Sequence, residues 1–318
     1  MRLLRVLRFG LGYCAVAVMF AGCAGVVPGG VTPQSSASLI GHPHAWMAPE
    51  AKSENLLYVS DSGTNTVLVY SYPQVKLVGT LSGFADPRSE CADGSGNVWI
   101  ADVGGDDVVE YAHAGTQPLT ALNVDGPPSG CSVDPTTGNL AVSGGISGLV
   151  LTVFPHRGNR WGSPARYDDA TIAAPGFCGY DGSGNVFIDG LASKNAGFAL
   201  AELGHGEHSM HAVQLSQHIN TVGQVLWDGS AITIGDTGGS PAVIYRLSVK
   251  SGVGKVVGST TLDYGKGVRQ DWIAGSTLIG PNLARDDLEF WPYPAGGAPS
   301  QTIKTVRAYG AAVSLAKE

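Results

Sequence analysis

The chain has 318 residues, of which only 14% are charged, and it contains 46 glycines and 18 prolines. This composition argues against long amphipathic helices and favours short strands joined by tight turns. The formal net charge of −7 repels phosphate backbones, which argues against nucleic acid as a partner.

The first 22 residues have the pattern of an export signal. Three arginines within the first eight residues are followed by 14 uncharged, mostly apolar residues, Phe9 to Gly22. This run is short for a bilayer span but has the length of a signal-peptide core. It ends in Phe20-Ala-Gly-Cys23, which resembles the lipobox of bacterial lipoproteins, although Leu is usual at the first position. The resemblance implies that Cys23 is acylated and becomes the mature N-terminus.

Residues 23–38 are rich in Gly, Pro and Ser and predict a flexible tether to a folded domain of residues 39–318. Without residues 1–22 the chain has 16 basic and 26 acidic residues, a net charge of −10. We expect the domain in the cell envelope, on its periplasmic or extracellular face, attached to the membrane only by the N-terminal lipid. The alternative is an ordinary signal peptide cleaved near Ala21 or Ala24.

One segment recurs through the rest of the chain: an apolar strand, a turn rich in Asp, Gly or Asn, and a second apolar strand. The copies start at Met47, Cys91, Cys131, Cys178, Val225 and Asp271, with a partial copy at Val313. Spacings of 40–47 residues are typical of propeller blades, and two further strands fit into each unit. The sequence predicts an all-β fold, a six-bladed β-propeller of four-stranded antiparallel blades. Either Ala45–Ala48 or Ala311–Leu315 is expected to supply an inner strand that closes the ring.

The segments Asp93-Gly-Ser-Gly-Asn-Val-Trp-Ile-Ala-Asp102 and Asp181-Gly-Ser-Gly-Asn-Val-Phe-Ile-Asp189 resemble the repeats of NHL and gluconolactonase-like six-bladed propellers. The resemblance covers nearly all of residues 45–315 and implies architecture more than activity. Gluconolactonase-like enzymes hold a divalent metal in the central channel with Glu, Asn and Asp. Their first-blade motif is absent here, and the NHL arginine of the third strand is missing. Glu50, Glu90 and Asp228 are the acids near predicted inner strands that remain as metal ligands.

Two further groups of residues are candidates for binding. Four acids end second strands and are expected on the face where blades are connected: Asp61, Asp102, Asp189 and Asp236. Converging carboxylates there would suit Ca²⁺ or a cationic or polyhydroxy ligand. The alternative is that each Asp accepts backbone hydrogen bonds and shapes its own turn.

Three cysteines, Cys91, Cys131 and Cys178, are predicted to share one register in consecutive blades. A thiol cluster would suit zinc, but no fourth ligand shares the register, and a disulfide needs Cα atoms within roughly 7 Å, closer than we expect for neighbouring inner strands. The alternative, which we favour, is that the cysteines are small buried apolar residues. Because their number is odd, at least one thiol is expected to stay unpaired.

The histidines of His205–His211, with His218, are expected in an exposed polar loop. Trp272 and Trp291 are candidates for an exposed aromatic surface, whereas Trp99 is expected in the core. No nucleophile or phosphate-binding motif is present in the sequence. We therefore expect a monomeric domain that acts as a binding or interaction module for a protein, a peptide or a glycan. A calcium- or zinc-dependent hydrolase or lactonase is the alternative, and a scaffold within an envelope complex is a third.

Overall fold

The described part of the chain consists almost entirely of β-strands. The computed structural model describes residues 45–317, except 147–148, 194–196 and 306. Cys23, the predicted signal sequence and the whole of the predicted tether therefore lie outside the described residues. Within them, one short 3₁₀ helix, Pro49–Ser53, accompanies the strands, and no helix is long and apolar enough to cross a bilayer.

The described strands form six blade sheets, which we number as blades 1 to 6 in chain order, and one separate two-stranded hairpin. Blades 1 to 3 contain β1 (Trp46–Met47), β2 (Asn55–Asp61), β3 (Thr66–Tyr72), β4 (Leu77–Ser82); β5 (Pro87–Ala92), β6 (Val98–Asp102), β7 (Asp107–Tyr111), β8 (Pro118–Asn123); β9 (Pro128–Val133), β10 (Leu140–Gly144), β11 (Leu151–Phe154), the hairpin β12 (His156–Arg157) and β13 (Arg160–Trp161), and β14 (Ala165–Tyr167).

Blades 4 to 6 continue in the same manner. They contain β15 (Ile172–Tyr180), β16 (Val186–Ala192), β17 (Phe198–Leu203), β18 (His211–Ala212); β19 (Gln214–Leu215), β20 (Val225–Trp227), β21 (Ile232–Asp236), β22 (Ala242–Lys250), β23 (Val253–Leu262); β24 (Trp272–Ala274), β25 (Thr277–Asn282), β26 (Asp287–Pro292) and β27 (Gln301–Lys304). The final strand is β28 (Ala308–Ser314). The main strands of each blade pair antiparallel, and only β19 joins its blade in parallel, through β23.

A recurring Asp turn joins the first and second strands of a blade. In blade 2, Asp93 Oδ1 accepts the N–H groups of Ser95 and Asn97, both at 2.8 Å. Gly96 lies between them with φ +85°, a left-handed conformation that glycine adopts without steric cost. Asp181 repeats the arrangement in blade 4. These turns hold the first and second strands in register.

The core is divided into six apolar clusters, one between each pair of neighbouring blades. A fully buried member of each cluster, in ring order, is Tyr58, Trp99, Ile188, Ile234, Trp291 and Leu57. Burying one such side chain contributes roughly 1.5–3 kcal/mol. Because each blade covers both of its faces only by packing on two neighbours, the six blades stabilise one another as a closed ring. The predicted six-bladed propeller is confirmed.

The C-terminal strand closes the ring from the inside. β28 pairs antiparallel with β2 along its whole length, from Leu56 opposite Ser314 to Asp61 opposite Ala308. The N-terminal strand β1 pairs instead with β4, on the outer edge of blade 1. The C-terminal half-unit therefore supplies the inner strand.

Candidate functional site

Two of the three cysteines form a disulfide. Cys91 in β5 and Cys131 in β9 are bonded across blades 2 and 3, with Cα atoms 5.7 Å apart. The expectation that neighbouring inner strands are too far apart for a disulfide is therefore wrong. Cys178 in β15 is unbonded and buried, and burial raises the pKa of its thiol to about 12. The three residues do not provide a thiol cluster for zinc.

The register of the inner strands explains this disulfide. Counted back from the turn aspartate that follows each inner strand, Cys131 and Cys178 are three residues away, whereas Cys91 is two residues away. Successive side chains of a strand point to opposite faces. The one-residue difference therefore turns Cys91 towards blade 3, while Cys131 points back towards blade 2. Cysteines in the same register would not have faced each other.

Removing this disulfide is expected to lower the free energy of unfolding by about 2–4 kcal/mol, because it closes a long loop in the unfolded chain. The two cysteines are 40 residues apart. Urea unfolding of the double variant Cys91→Ala/Cys131→Ala, with and without reductant, measures the effect. Reductant should destabilise the native sequence and Cys178→Ala, but not the double variant. An equal response of all three proteins would contradict the prediction.

Three of the four aspartates of the second strands anchor loops of the connection face, the face on which each blade is joined to the next. Asp61 Oδ1 accepts the N–H groups two and three residues further on, at 3.0 and 3.2 Å, as in the alternative that the aspartate shapes its own turn. Asp102 accepts the N–H groups of residues 85–86 at 2.8 and 2.6 Å. Asp236 accepts that of Asn220 at 3.0 Å. Asp102 and Asp236 thus bind the preceding interblade connection instead of their own turn.

Asp189 stands one residue earlier in its strand than Asp102 does, and it is fully buried. Its Oδ1 accepts the N–H of Phe177 at 2.6 Å, and its Oδ2 accepts that of Gly223 at 3.0 Å. It therefore links the inner strand of blade 4 to the segment that leads into β20. Burial raises the pKa of Asp189 to about 7, although the two N–H groups and the charge of Arg269 favour its ionised form.

Glu50 and Asp228 lie away from the channel. Glu50 is in the 3₁₀ helix after β1, where its Oε1 is 3.2 Å from Lys76 Nζ; the prediction that it lies near an inner strand is wrong, because β1 is an outer strand. Asp228 is in the turn between β20 and β21, on the face opposite the connections. It accepts bonds from Arg246 Nε at 2.6 Å and from the Tyr293 hydroxyl at 2.7 Å. Although burial acts to raise it, these partners hold the pKa of Asp228 well below its usual range.

Glu90 is buried where blades 1 and 2 meet. A Cβ atom added to Gly310 of β28 would lie 2.5 Å from Glu90 Oε2. Burial raises the pKa of Glu90 to about 8, with the nearby Ser60 hydroxyl acting in the opposite direction. Asp271, just before β24, is similar, and burial raises its pKa to about 8. Burial therefore favours the protonated form of both carboxyl groups.

The predicted acidic ligands do not form one metal site. Glu50, Glu90 and Asp228 lie at an outer edge, between two blades and in an opposite-face turn, respectively. Within the part of the chain that the structure describes, no group of three His, Cys, Asp or Glu side chains is arranged to hold a metal ion. Among the described residues, the three predicted acidic ligands are thus not brought together.

Gln270 occupies the channel between the free edges of the inner strands. Its Nε2 donates to the carbonyl oxygens of Glu90 at 3.1 Å and Ala311 at 3.0 Å. Its Oε1 accepts the N–H of Ala311 at 2.6 Å and, more weakly, that of Glu90 at 3.4 Å. One side chain of blade 6 thus satisfies backbone groups of blades 1 and 2 that have no strand partner on the channel side.

A cavity of about 210 Å³ opens at the centre of the connection face, and we call it the mouth cavity. Inner-strand starts or nearby loops of all six blades contribute to its walls. The lining residues are Arg88, Val103, Pro127, Pro128, Ser129, Pro175, Gly176, Phe177, Val222, Arg269 and Tyr309. The Asp189 hydrogen bonds described above fix two of these walls, at Phe177 and next to Val222.

Two arginines make the mouth cavity cationic in an acidic chain. Arg88 donates from Nε to Asp86 Oδ2 at 2.9 Å and lies over the Tyr309 ring, 5.1 Å from its centroid. Arg269 forms no ion pair within 4 Å with any carboxylate of the described residues. Its carbonyl oxygen accepts the N–H of Gln224 at 2.9 Å, which fixes its backbone. The Arg269 side chain is the cationic group best placed to receive a ligand.

The sequence reasoning missed both arginines, although a signal was present. Arg88 and Arg269 stand two residues before Glu90 and Asp271, and Tyr309 stands two residues before Ala311. Reading that one position across all repeats would have shown that the channel entrance carries Tyr, Arg, Ser, Gly, Gly and Arg. The search for acids at the ends of second strands overlooked it.

The remaining candidates are divided between surface and core. The four histidines are exposed, as predicted, and His211 Nε2 is 3.4 Å from Glu207. Trp99 is buried as expected, with its ring 5.1 Å from that of Trp161. Trp291 is fully buried, so the prediction of an exposed aromatic there is wrong.

Comparison with known proteins shows the fold but no family. No protein-family model matches the chain, and no curated protein matches its sequence. Among solved structures, the chain is similar to a propeller from a nidogen/laminin complex, with 12% identity, a TM-score of 0.63, and coverage of 83% of this chain and 99% of the other.

Two further solved structures show the same architecture. Hydrazine synthase of Kuenenia stuttgartiensis is 14% identical, with a TM-score of 0.56, and the match covers 84% of this chain and 80% of the other. A putative 6-phosphogluconolactonase of Bacteroides uniformis is 12% identical, with a TM-score of 0.58 and coverage of 84% and 87%. At these identities the likeness establishes that the chain is a six-bladed β-propeller and nothing narrower.

Proposed function

We propose that this protein is an interaction module of the cell envelope that binds its ligand at the mouth cavity. The observation that carries the proposal is that six blades enclose one cationic cavity, lined by Arg88 and Arg269. Ligand-binding sites of proteins are commonly preformed depressions in which a few polar groups fix the orientation of the ligand. The ligand is a protein, a peptide or a glycan. The similar propeller from the nidogen/laminin complex belongs to a protein–protein assembly, which supports such a use.

An exported, lipid-anchored location accompanies this proposal. The Cys91–Cys131 disulfide supports an oxidising compartment, where such bonds persist. The lipobox-like segment ending at Cys23 supports acylation at that residue. Growth with a labelled fatty acid tests the anchor: the native chain should incorporate label, and Cys23→Ala should not. Equal labelling of the two proteins, or none of either, would overturn it.

The competing function is that of a metal-dependent lactonase or other hydrolase. The likeness in fold to a putative 6-phosphogluconolactonase is the reason to test it. The experiment is elemental analysis of the purified domain, residues 39–318, with thermal unfolding in added Ca²⁺ or Zn²⁺. For an interaction module we expect no stoichiometric metal and no change in melting temperature. About one bound metal per chain, or a large rise in melting temperature that Glu90→Gln or Asp228→Asn abolishes, would overturn the proposal in favour of the hydrolase.

A further inference from the structure

Six of the eleven residues that line the mouth cavity have apolar side chains. Its polar side chains are Ser129, Tyr309 and the two arginines, and the rest of the wall is largely proline, valine and phenylalanine. Three lining residues are prolines, which have no backbone N–H to donate. A sugar buried here would leave several hydroxyl groups without partners, each at a cost in free energy. The valine, proline and phenylalanine side chains therefore provide contacts for an apolar group that lies beside the charged one.

The charge of the cavity selects the polar part of that group. The carboxylates near the mouth already have partners: Asp86 accepts from Arg88 at 2.9 and 2.7 Å, and Asp189 accepts two backbone N–H groups. Arg269 has no such ion pair among the described residues. An arginine fork matches the geometry of a carboxylate and can donate two parallel hydrogen bonds to it.

The volume of the cavity limits how much of the ligand enters. At about 210 Å³ it is smaller than the roughly 300–1,000 Å³ of sites that enclose a drug-sized molecule. It suits one terminal group instead of a whole ligand. Peptide C-termini carry a carboxylate directly beside a side chain, and proteins recognise them as a distinct class.

We propose that the mouth cavity binds the C-terminal carboxylate of a peptide or protein whose last residue is apolar, with Arg269 as the group that pairs with the carboxylate. Arg88 and the Tyr309 ring form the adjoining wall, held together by their stacking. This inference deepens the proposed interaction function, because it states the chemistry of the partner at the same cavity.

Calorimetric titration of the full chain in detergent with four probes tests the proposal. The probes are N-acetyl-leucine, its uncharged amide, the tripeptide acetyl-Gly-Gly-Leu and galacturonate. We expect the amide to bind about 10- to 100-fold more weakly than the acid, as for loss of a charge-assisted hydrogen bond. The tripeptide should bind more tightly than N-acetyl-leucine, and galacturonate more weakly. Added salt should weaken binding of the acids.

Variants connect this binding to the cavity. Arg269→Gln keeps the polarity and approximate length of the side chain but removes its charge, and it should lose the difference between acid and amide. Arg160→Ala, which removes an exposed arginine of the β12–β13 hairpin, should behave like the native chain. Circular dichroism verifies that both variants are folded, and Arg269→Lys, which keeps the charge, should retain part of the binding.

Specific results would overturn the inference. Equal binding of acid and amide, or none of either, would exclude a carboxylate site. Tighter binding of galacturonate would assign the cavity to acidic sugars, and equal binding of N-acetyl-leucine and the tripeptide would assign it to small organic acids. None of these titration results depends on a bound metal. Failure of the carboxylate proposal is therefore distinguishable from failure of the proposed function, which the metal analysis decides.

Discussion

Replacing Gln270 with Leu is expected to lower the free energy of unfolding by about 3–6 kcal/mol. The side chain is fully buried and bonds to the backbone of Glu90 and Ala311 through both its amide nitrogen and its oxygen. Leu has a similar size but would leave these backbone groups buried without partners, at about 1–3 kcal/mol each. Urea unfolding monitored by tryptophan fluorescence measures the change.

Gln224 provides a matched control for this prediction. It stands at the equivalent position of blade 5, one residue before Val225, and it is also buried. Its Nε2 donates only to the carbonyl of Val225, at 3.3 Å, and its Oε1 has no hydrogen-bond partner among the described residues. Gln224→Leu should therefore cost little. If the two substitutions were equally destabilising, the cause would be the loss of amide packing and not the bonds that Gln270 makes across the channel.

Stability is expected to fall as pH rises from about 5 to 8, because burial raises the pKa of three carboxyl groups in the folded protein. Burial raises the pKa of Glu90 and Asp271 to about 8 and that of Asp189 to about 7. In the unfolded chain these groups ionise near pH 4. The stability linked to them is fully present below that value, decreases while only the unfolded state releases protons, and is lost once pH passes the folded-state pKa. Each group contributes at most about 1.4 kcal/mol per pH unit.

Glu90→Gln should remove the part of this pH dependence that comes from Glu90. The variant should resemble the native protein at pH 5 and be more stable at pH 8, because its amide has no charge to bury. Glu207→Gln changes an exposed acid and should leave the profile unchanged. Urea unfolding at intervals from pH 5 to 8 provides the comparison. A native profile that is flat, or that rises with pH, would show that these carboxyl groups are ionised in the folded state.

The fold was predictable because a blade repeats the same local solution six times. The turns at Asp93 and Asp181 and the alternating apolar strands recur at the spacing of the blades. The number and spacing of the blades therefore follow from the sequence. The choice between the two chain ends was not predictable, because each offers only a short apolar run. It depends on the pairing of β28 with β2, which lies about 250 residues earlier in the sequence.

The candidate site was less predictable, since it depends on side-chain direction. The turn role of Asp61 was foreseen, but the bonds from Asp102 and Asp236 to loops about 16 residues earlier depend on how the blades are connected. The Cys91–Cys131 disulfide depends on a difference of one residue in register. The position of Arg269 was not predicted, because no motif surrounds it in the sequence. Only the closed ring of blades brings it to the channel entrance.

The position of β28 has a consequence for the order in which the molecule can be completed. The innermost strand of blade 1, β28, follows all the other described strands along the chain, whereas its partner β2 precedes almost all of them. During synthesis, blades can form one after another, but blade 1 remains without its inner strand until residues 308–314 have been added. Until then the growing chain is an open arc with two unpartnered ends. The mouth cavity, to which Tyr309 of β28 contributes, is complete only after this strand has been added.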